Sequence, residues 1–176
     1  NPSAMRLFGV SALLLFYSAV AAQQSLPRIQ EAMAFFEKGE YQKVIPVAEQ
    51  AVAATKKEFG ETSPFHSGMV LFLAMSHWAL FQFDKAEPWF VKHKDLIAKS
   101  YGENSLEFIA SQNRLAQLYR EMGRYRESET LYIKGISLSR SLLGENDSNH
   151  AKNLNNLASL YQFTAKYTQA EQLFVQ

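Results

Sequence analysis

A period of 42 residues runs through this chain and leaves it few ways to fold. The dipeptide Gly-Glu recurs at Gly60-Glu61, Gly102-Glu103 and Gly144-Glu145, 42 residues apart each time. In the same register an aromatic stands at Tyr41, Phe83, Tyr125 and Tyr167, and an alanine at Ala32, Ala74, Ala116 and Ala158. A further column holds Phe35, His77, Tyr119 and Tyr161. Such a period implies supersecondary units, each burying its apolar face only by stacking on its neighbours.

Within each unit the spacing is helical. Leu154, Leu157, Ala158 and Tyr161 fall at i, i+3, i+4 and i+7, and Leu115, Ala116 and Tyr119 repeat the pattern with Gln112 in the first place. A second helix carries Tyr125, Ser128, Leu131 and Tyr132, and one period later Tyr167, Ala170, Leu173 and Phe174. Gly39 and Gly123 suit the left-handed turn between the two helices, whereas Phe81 and Ala165 fill that place in the other units and predict a strained or differently built turn. Gly60, Gly102 and Gly144 are expected to end the second helices. Ser63-Pro64, Asn104 with Glu107, and Asp147 are expected to start the next first helices. The fold class is all-α, with about four antiparallel helix pairs. Their spans are 25–59, 60–101, 102–143 and 144–176, the last incomplete.

Ahead of the repeats, Met5-Arg6 precedes an apolar run from Leu7 to Val20, and small residues close it at Ala21-Ala22. This is the pattern of a secretory signal over residues 5–22, cleaved after Ala21 or Ala22, and it predicts a secreted or periplasmic protein. The run falls short of the roughly 20 apolar residues of a membrane span, and a membrane is a partner only if the segment is retained as an anchor. Residues 1–4 read as a cloning scar or an upstream extension of the reading frame.

Composition removes several function classes. Lys plus Arg number 18 and Asp plus Glu 17, so there is no basic excess to neutralise a phosphate backbone, and nucleic acid is not an expected partner. Without cysteine there are no disulfides, thiolate zinc sites or cysteine nucleophiles. The histidines His66, His77, His93 and His150 form no H-E-x-x-H and no i, i+4 pair, so no metal site is expected. His77 falls in a packing column, while His93 and His150 are expected near helix surfaces or turns. The glycines follow the repeat period and form no phosphate loop, and Ser137, Ser139 and Ser141 lack a nucleophile elbow. Surface pairs are expected within helices, Glu121 with Arg124 and Arg126 with Glu129. The expectation is no catalysis, no cofactor and no small-molecule substrate.

The segments Leu143-Gly144-Glu145-Asn146, Leu154 through Tyr161 and Tyr167-Thr168-Gln169-Ala170-Glu171 resemble the tetratricopeptide repeat, in the 42-residue variety similar to kinesin light chains and many bacterial proteins. The resemblance covers about Ser25 to Gln176 and implies a right-handed superhelical solenoid with a concave groove lined by first helices. Arg28 and Glu31 stand where that variety has large apolar residues, as befits an outer cap. The last pair stops inside its second helix with no polar capping helix. The array is therefore expected to be C-terminally truncated, the N-terminal part of a longer protein.

The resemblance implies a scaffold binding a protein or peptide. By register the groove positions are Met33 and Phe36, then Leu71, Met75 and Trp78, then Asn113, Gln117 and Arg120, then Asn155, Ser159 and Gln162. The apolar first half and the amide-rich second half suit a peptide with an apolar end and a polar or acidic end. In the alternative reading Met33, Phe36, Met75 and Trp78 pack against neighbouring repeats and the amides are merely solvated. Similar secreted bacterial proteins also suggest a recognition arm of a larger enzyme, such as a caspase-like protease.

Overall fold

The computed structural model describes residues 25–174, and the proposed leader at 1–4 and signal at 5–22 lie outside them. Every element among the described residues is helical: residues 25–37 (α1), Tyr41–Phe59 (α2), Pro64–Ala79 (α3), Phe83–Tyr101 (α4), Leu106–Glu121 (α5), Tyr125–Leu143 (α6), Ser148–Phe163 (α7) and Tyr167–Phe174 (α8). None of these helices is long and apolar enough to cross a membrane. The chain forms two compact units, one ending at Leu80 and the other beginning at Phe81.

Start signals act as elementary capping chemistry requires. Ser63 accepts from the His66 N–H at 3.2 Å with Pro64 opening α3, and Asp147 accepts from the Asn149 N–H at 2.7 Å ahead of α7. For α5 the cap is Ser105, which accepts from Phe108, and not Asn104 with Glu107. Ser105 is extended at φ −140° and ψ 156°, the conformation a capping residue needs, and it leads directly into Leu106. The long second helices end at Gly60, Gly102 and Gly144, with φ between 81° and 87° and ψ between 161° and 171°. Only glycine reaches that region without strain, which explains the strict column.

In the first unit α2 packs on α3. Ala32, Val44, Ala48, Val70, Leu73 and Ala74 are fully buried there. In the second unit α4 packs on α5, α5 on α6, α6 on α7 and α7 on α8. Ala116, Tyr132, Leu157, Ala158, Leu160, Tyr161 and Ala170 form its main core cluster, with Leu131, Ile136 and Leu173 packed against it. The alanine column is 0 % exposed at all four positions, so any larger side chain there would push two helices apart.

Histidine burial departs from the sequence reading. His93 and His150 are not at the surface; both are buried, as are His66 and His77. Each of the first two turns its Nδ1 to a serine on the adjoining helix, His93 to Ser111 at 2.8 Å and His150 to Ser139 at 2.9 Å. A hydroxyl partner satisfies one ring nitrogen, which lets a buried imidazole sit in the seam between two helices.

Candidate functional site

The stripes left open by packing are the candidate contact surfaces. In the first unit Leu71, Met75 and Trp78 lie at i, i+4 and i+7 on α3 and are half-buried, whereas Met33 on α1 is exposed. Phe36 is half-buried in edge-on contacts with Phe72 at 4.8 Å and Tyr41 at 5.3 Å. Those contacts hold its ring against Phe72 of α3.

In the second unit Asn113, Gln117 and Arg120 are half-buried on α5, while Asn155 and Gln162 are exposed on α7. Ser159 is half-buried and spends its hydroxyl on the Asn155 carbonyl at 2.8 Å. A pocket of about 420 Å³ opens between α5 and α7, floored by Leu106, Ile109 and Ala110 and walled by Asn113, Asn149, Lys152, Asn153 and Asn156. Of the sequence-derived positions only Asn113 lines it. Asn149, Asn153 and Asn156 were missed, although their i, i+4, i+7 spacing marks one helical face.

The amides are organised. Asn153 donates through Nδ2 to the Asn149 carbonyl at 2.8 Å, and Asn113 donates through Nδ2 to Asn153 Oδ1 at 2.5 Å. Among the described residues Lys152 is the only charged side chain in the lining, which otherwise has four amides, an apolar floor and no carboxylate. Such a set can hydrogen-bond a peptide main chain and accept an anionic side chain. Nearby on α5, Arg114 is half-buried, and desolvation lowers its pKa.

Charge pairing also differs from the in-helix pairs expected from sequence. Arg124 reaches back to Glu87 on α4 at 2.7 Å, pairs with Glu127 and lies 4.1 Å over the Tyr119 ring. One period on, Lys166 pairs with Glu129 at 3.1 Å and lies 5.0 Å over Tyr161. Glu129 therefore faces Lys166, not Arg126, and Glu121 approaches Arg120, not Arg124. These clamps tie successive repeats together and leave the pocket to Lys152. Among the described residues, no group of three or more His, Cys, Asp or Glu side chains could hold a metal ion.

The sequence profile described as tetratricopeptide repeat matches residues 65–132 and, overlapping it, 107–176. No curated protein matches the chain. Among solved structures, BtubC (BKLC) from P. vanneervenii superimposes with a TM-score of 0.76 at 19% identity, over 87% of this chain and 61% of that one. This chain thus spans about three fifths of that relative's length. A kinesin-light-chain-type protein of nearly identical TPR-like repeats from P. anserina aligns with a TM-score of 0.69 at 22% identity, over 84% of this chain and 70% of its own. At these identities the likeness concerns the fold.

Proposed function

Because the chain belongs to the tetratricopeptide repeat family, whose members generally serve as protein-interaction scaffolds, we propose that its second unit grips an extended segment of a partner protein in the pocket between α5 and α7. The observation that carries this reading is the lining itself. Asn113, Asn149, Asn153 and Asn156 line it with amides, the group that hydrogen-bonds a peptide main chain, and among the described residues Lys152 supplies the one charge. An anionic residue in the bound segment would meet that ammonium with no carboxylate competing for it. The open stripe of Leu71, Met75 and Trp78 in the first unit gives apolar side chains a separate place to rest.

Export by the segment at residues 5–22 is part of the proposal and places the partner outside the cytoplasm. Fusing residues 1–30 to a phosphatase that is active only after export tests it; a reporter silent in the envelope would count against it.

The binding reading is tested by panning a displayed random-peptide library against the protein and measuring the selected peptides by calorimetry. Acidic, extended sequences should be selected, and Lys152→Ala with Asn156→Ala should weaken them about tenfold with the melting temperature unchanged. A panning that selects nothing, or peptides indifferent to both substitutions, would overturn it.

A further inference from the structure

The seams between repeats carry a pair of columns, one on a second helix and one on the following first helix. In the first unit the two places hold Ala51 and Met69, both buried. In the second unit they hold His93 with Ser111, then Gly135 with Asn153, and all four are buried. One member is small wherever the other is large, and the order reverses from seam to seam.

Gly135 is the extreme case. It lies inside α6, where glycine weakens a helix relative to alanine and where its backbone has no positive φ to justify it. Space supplies the reason. A Cβ added there would stand 3.2 Å from Asn113 Oδ1, 3.7 Å from Asn153 Oδ1 and 3.8 Å from Ile109 Cγ2. Only the first of these is closer than ordinary van der Waals contact, so alanine would press on the Asn113 amide and through it on Asn153.

Their orientations follow from donor and acceptor logic. The Asn149 carbonyl can only accept, so Asn153 must turn its nitrogen toward it and its oxygen toward Asn113. Asn113 must then present nitrogen to Asn153, which leaves Asn113 Oδ1 buried beside Gly135 with no hydrogen-bond partner among the described residues. The second N–H of Asn113 is the polar group it has left for the pocket it lines.

We propose that Gly135 is a positioning residue for binding: its missing Cβ seats the Asn113–Asn153 amide pair, so that Asn113 meets a bound peptide carbonyl as a fixed N–H donor. The inference rests on the peptide-binding reading above for its function, though not for its geometry. Asn113 then recognises an acceptor and not a donor: the Asn149–Asn153 chain sets which end of its amide faces the pocket, and Gly135, outside the lining, leaves that amide its room.

Gly135→Ala tests this. A glycine of no special role would become a better helix residue, with the amides undisturbed. Under the proposal, the side-chain NH2 signals of Asn113 and Asn153 shift in a nitrogen–proton correlation spectrum. Affinity for the tightest panned peptide falls about threefold to tenfold, the worth of one hydrogen bond, while the melting temperature holds or rises. Asn153→Ser, which copies Ser111 of the preceding seam, provides the second arm. It frees Asn113 by itself, so adding Gly135→Ala on that background should cost no further affinity. Unmoved amide signals in Gly135→Ala, or equal losses on both backgrounds, would overturn the proposal. The spectral arm needs no ligand, so a failed panning defeats the binding reading while the amide signals still decide the positioning.

Discussion

Tyr161 on α7 donates its phenolic hydrogen to Glu129 Oε1 on α6 at 2.7 Å, and so bolts the first helix of one repeat to the second helix of the repeat before. Burial raises the Tyr161 pKa to about 12, and the neighbouring carboxylate adds to the effect. Burial also pushes the Glu129 carboxyl up, but hydrogen bonds from Tyr161 and Lys166 outweigh that and leave it lowered. Tyr119, Glu87 and Arg124 occupy the same columns one period earlier, and burial followed by Glu87 raises the Tyr119 phenol.

Tyr161→Phe should therefore lower stability by about 1 kcal/mol, the net worth of a hydrogen bond, with the ring packing kept. In wild-type protein, the Tyr161 contribution should be complete below the ordinary phenol pKa near 10 and be lost as pH rises through about 12. Ultraviolet titration of the phenols in both proteins checks this. A variant that loses no late-titrating tyrosine would show that the bond does not form in solution.

The intra-repeat turns give a second prediction. Gly39, Gly123 and Ala165 close their turns with paired backbone bonds, such as Arg124 N–H to the Tyr119 carbonyl at 2.8 Å and Gly123 N–H to the Arg120 carbonyl at 3.1 Å. The residue at that place is left-handed in every repeat, at φ 71° for Gly39, 57° for Phe81, 74° for Gly123 and 57° for Ala165. Phe81 is also 80% exposed, so its ring recovers little by burial. Phe81→Gly and Ala165→Gly should each stabilise the protein by about 0.5–1 kcal/mol, strain relief less the added freedom of the unfolded chain. Denaturant unfolding measures it; a loss of stability in Phe81→Gly would mean that the edge-on contact of its ring with Phe83, 6.1 Å between centroids, outweighs the strain.

How far the sequence reaches can be judged residue by residue. Columns that repeat, such as Ala116 and Gly102, report constraints common to every unit, and the structure buries or bends them alike. Ser63 and Asp147 act as the caps their types suggest. What escaped reading sits between columns. His93 is buried because Ser111, eighteen residues away, answers it, and Lys166 finds Glu129 across a seam at a separation no helical spacing suggests. The pocket asparagines were hidden for a similar reason. Asn113 repeats at Asn155, yet its actual partner is Asn153, because a seam joins a column to its neighbour and not to its own repeat.

His93 makes stability depend on pH. Burial, with Arg114 adding to it, lowers its pKa from 6.5 to about 4. The unfolded chain thus binds a proton below about pH 6.5 that the fold refuses until about pH 4. Its contribution is complete above the upper limit and falls away across that window, by on the order of 3 kcal/mol in all. His93→Gln keeps a polar partner for Ser111 and removes the titration. Unfolding free energies at pH 7 and pH 4.5 should then differ less than in wild type; equal differences would place the acid sensitivity elsewhere.

The last prediction concerns a polar pair with an apolar counterpart. His150 on α7 meets Ser139 on α6 at 2.9 Å, and two periods earlier His66 Nδ1 lies 3.1 Å from the Val52 carbonyl and 3.4 Å from Thr55 Oγ1. The repeat between them holds Phe108 and Ile97 in those places, both buried. Both members change together, as expected where a buried donor without an acceptor costs more than the bond itself is worth. Ser139→Ala alone should destabilise by about 1–2 kcal/mol, because it strands the imidazole nitrogen in the seam. Ser139→Ile combined with His150→Phe copies the middle repeat and should cost less than the two single losses added, with a coupling of at least about 0.5 kcal/mol. A double-mutant cycle by urea unfolding measures that coupling directly. Strict additivity would mean that each residue packs independently and that the Phe108–Ile97 replacement answers to volume, not to the hydrogen bond.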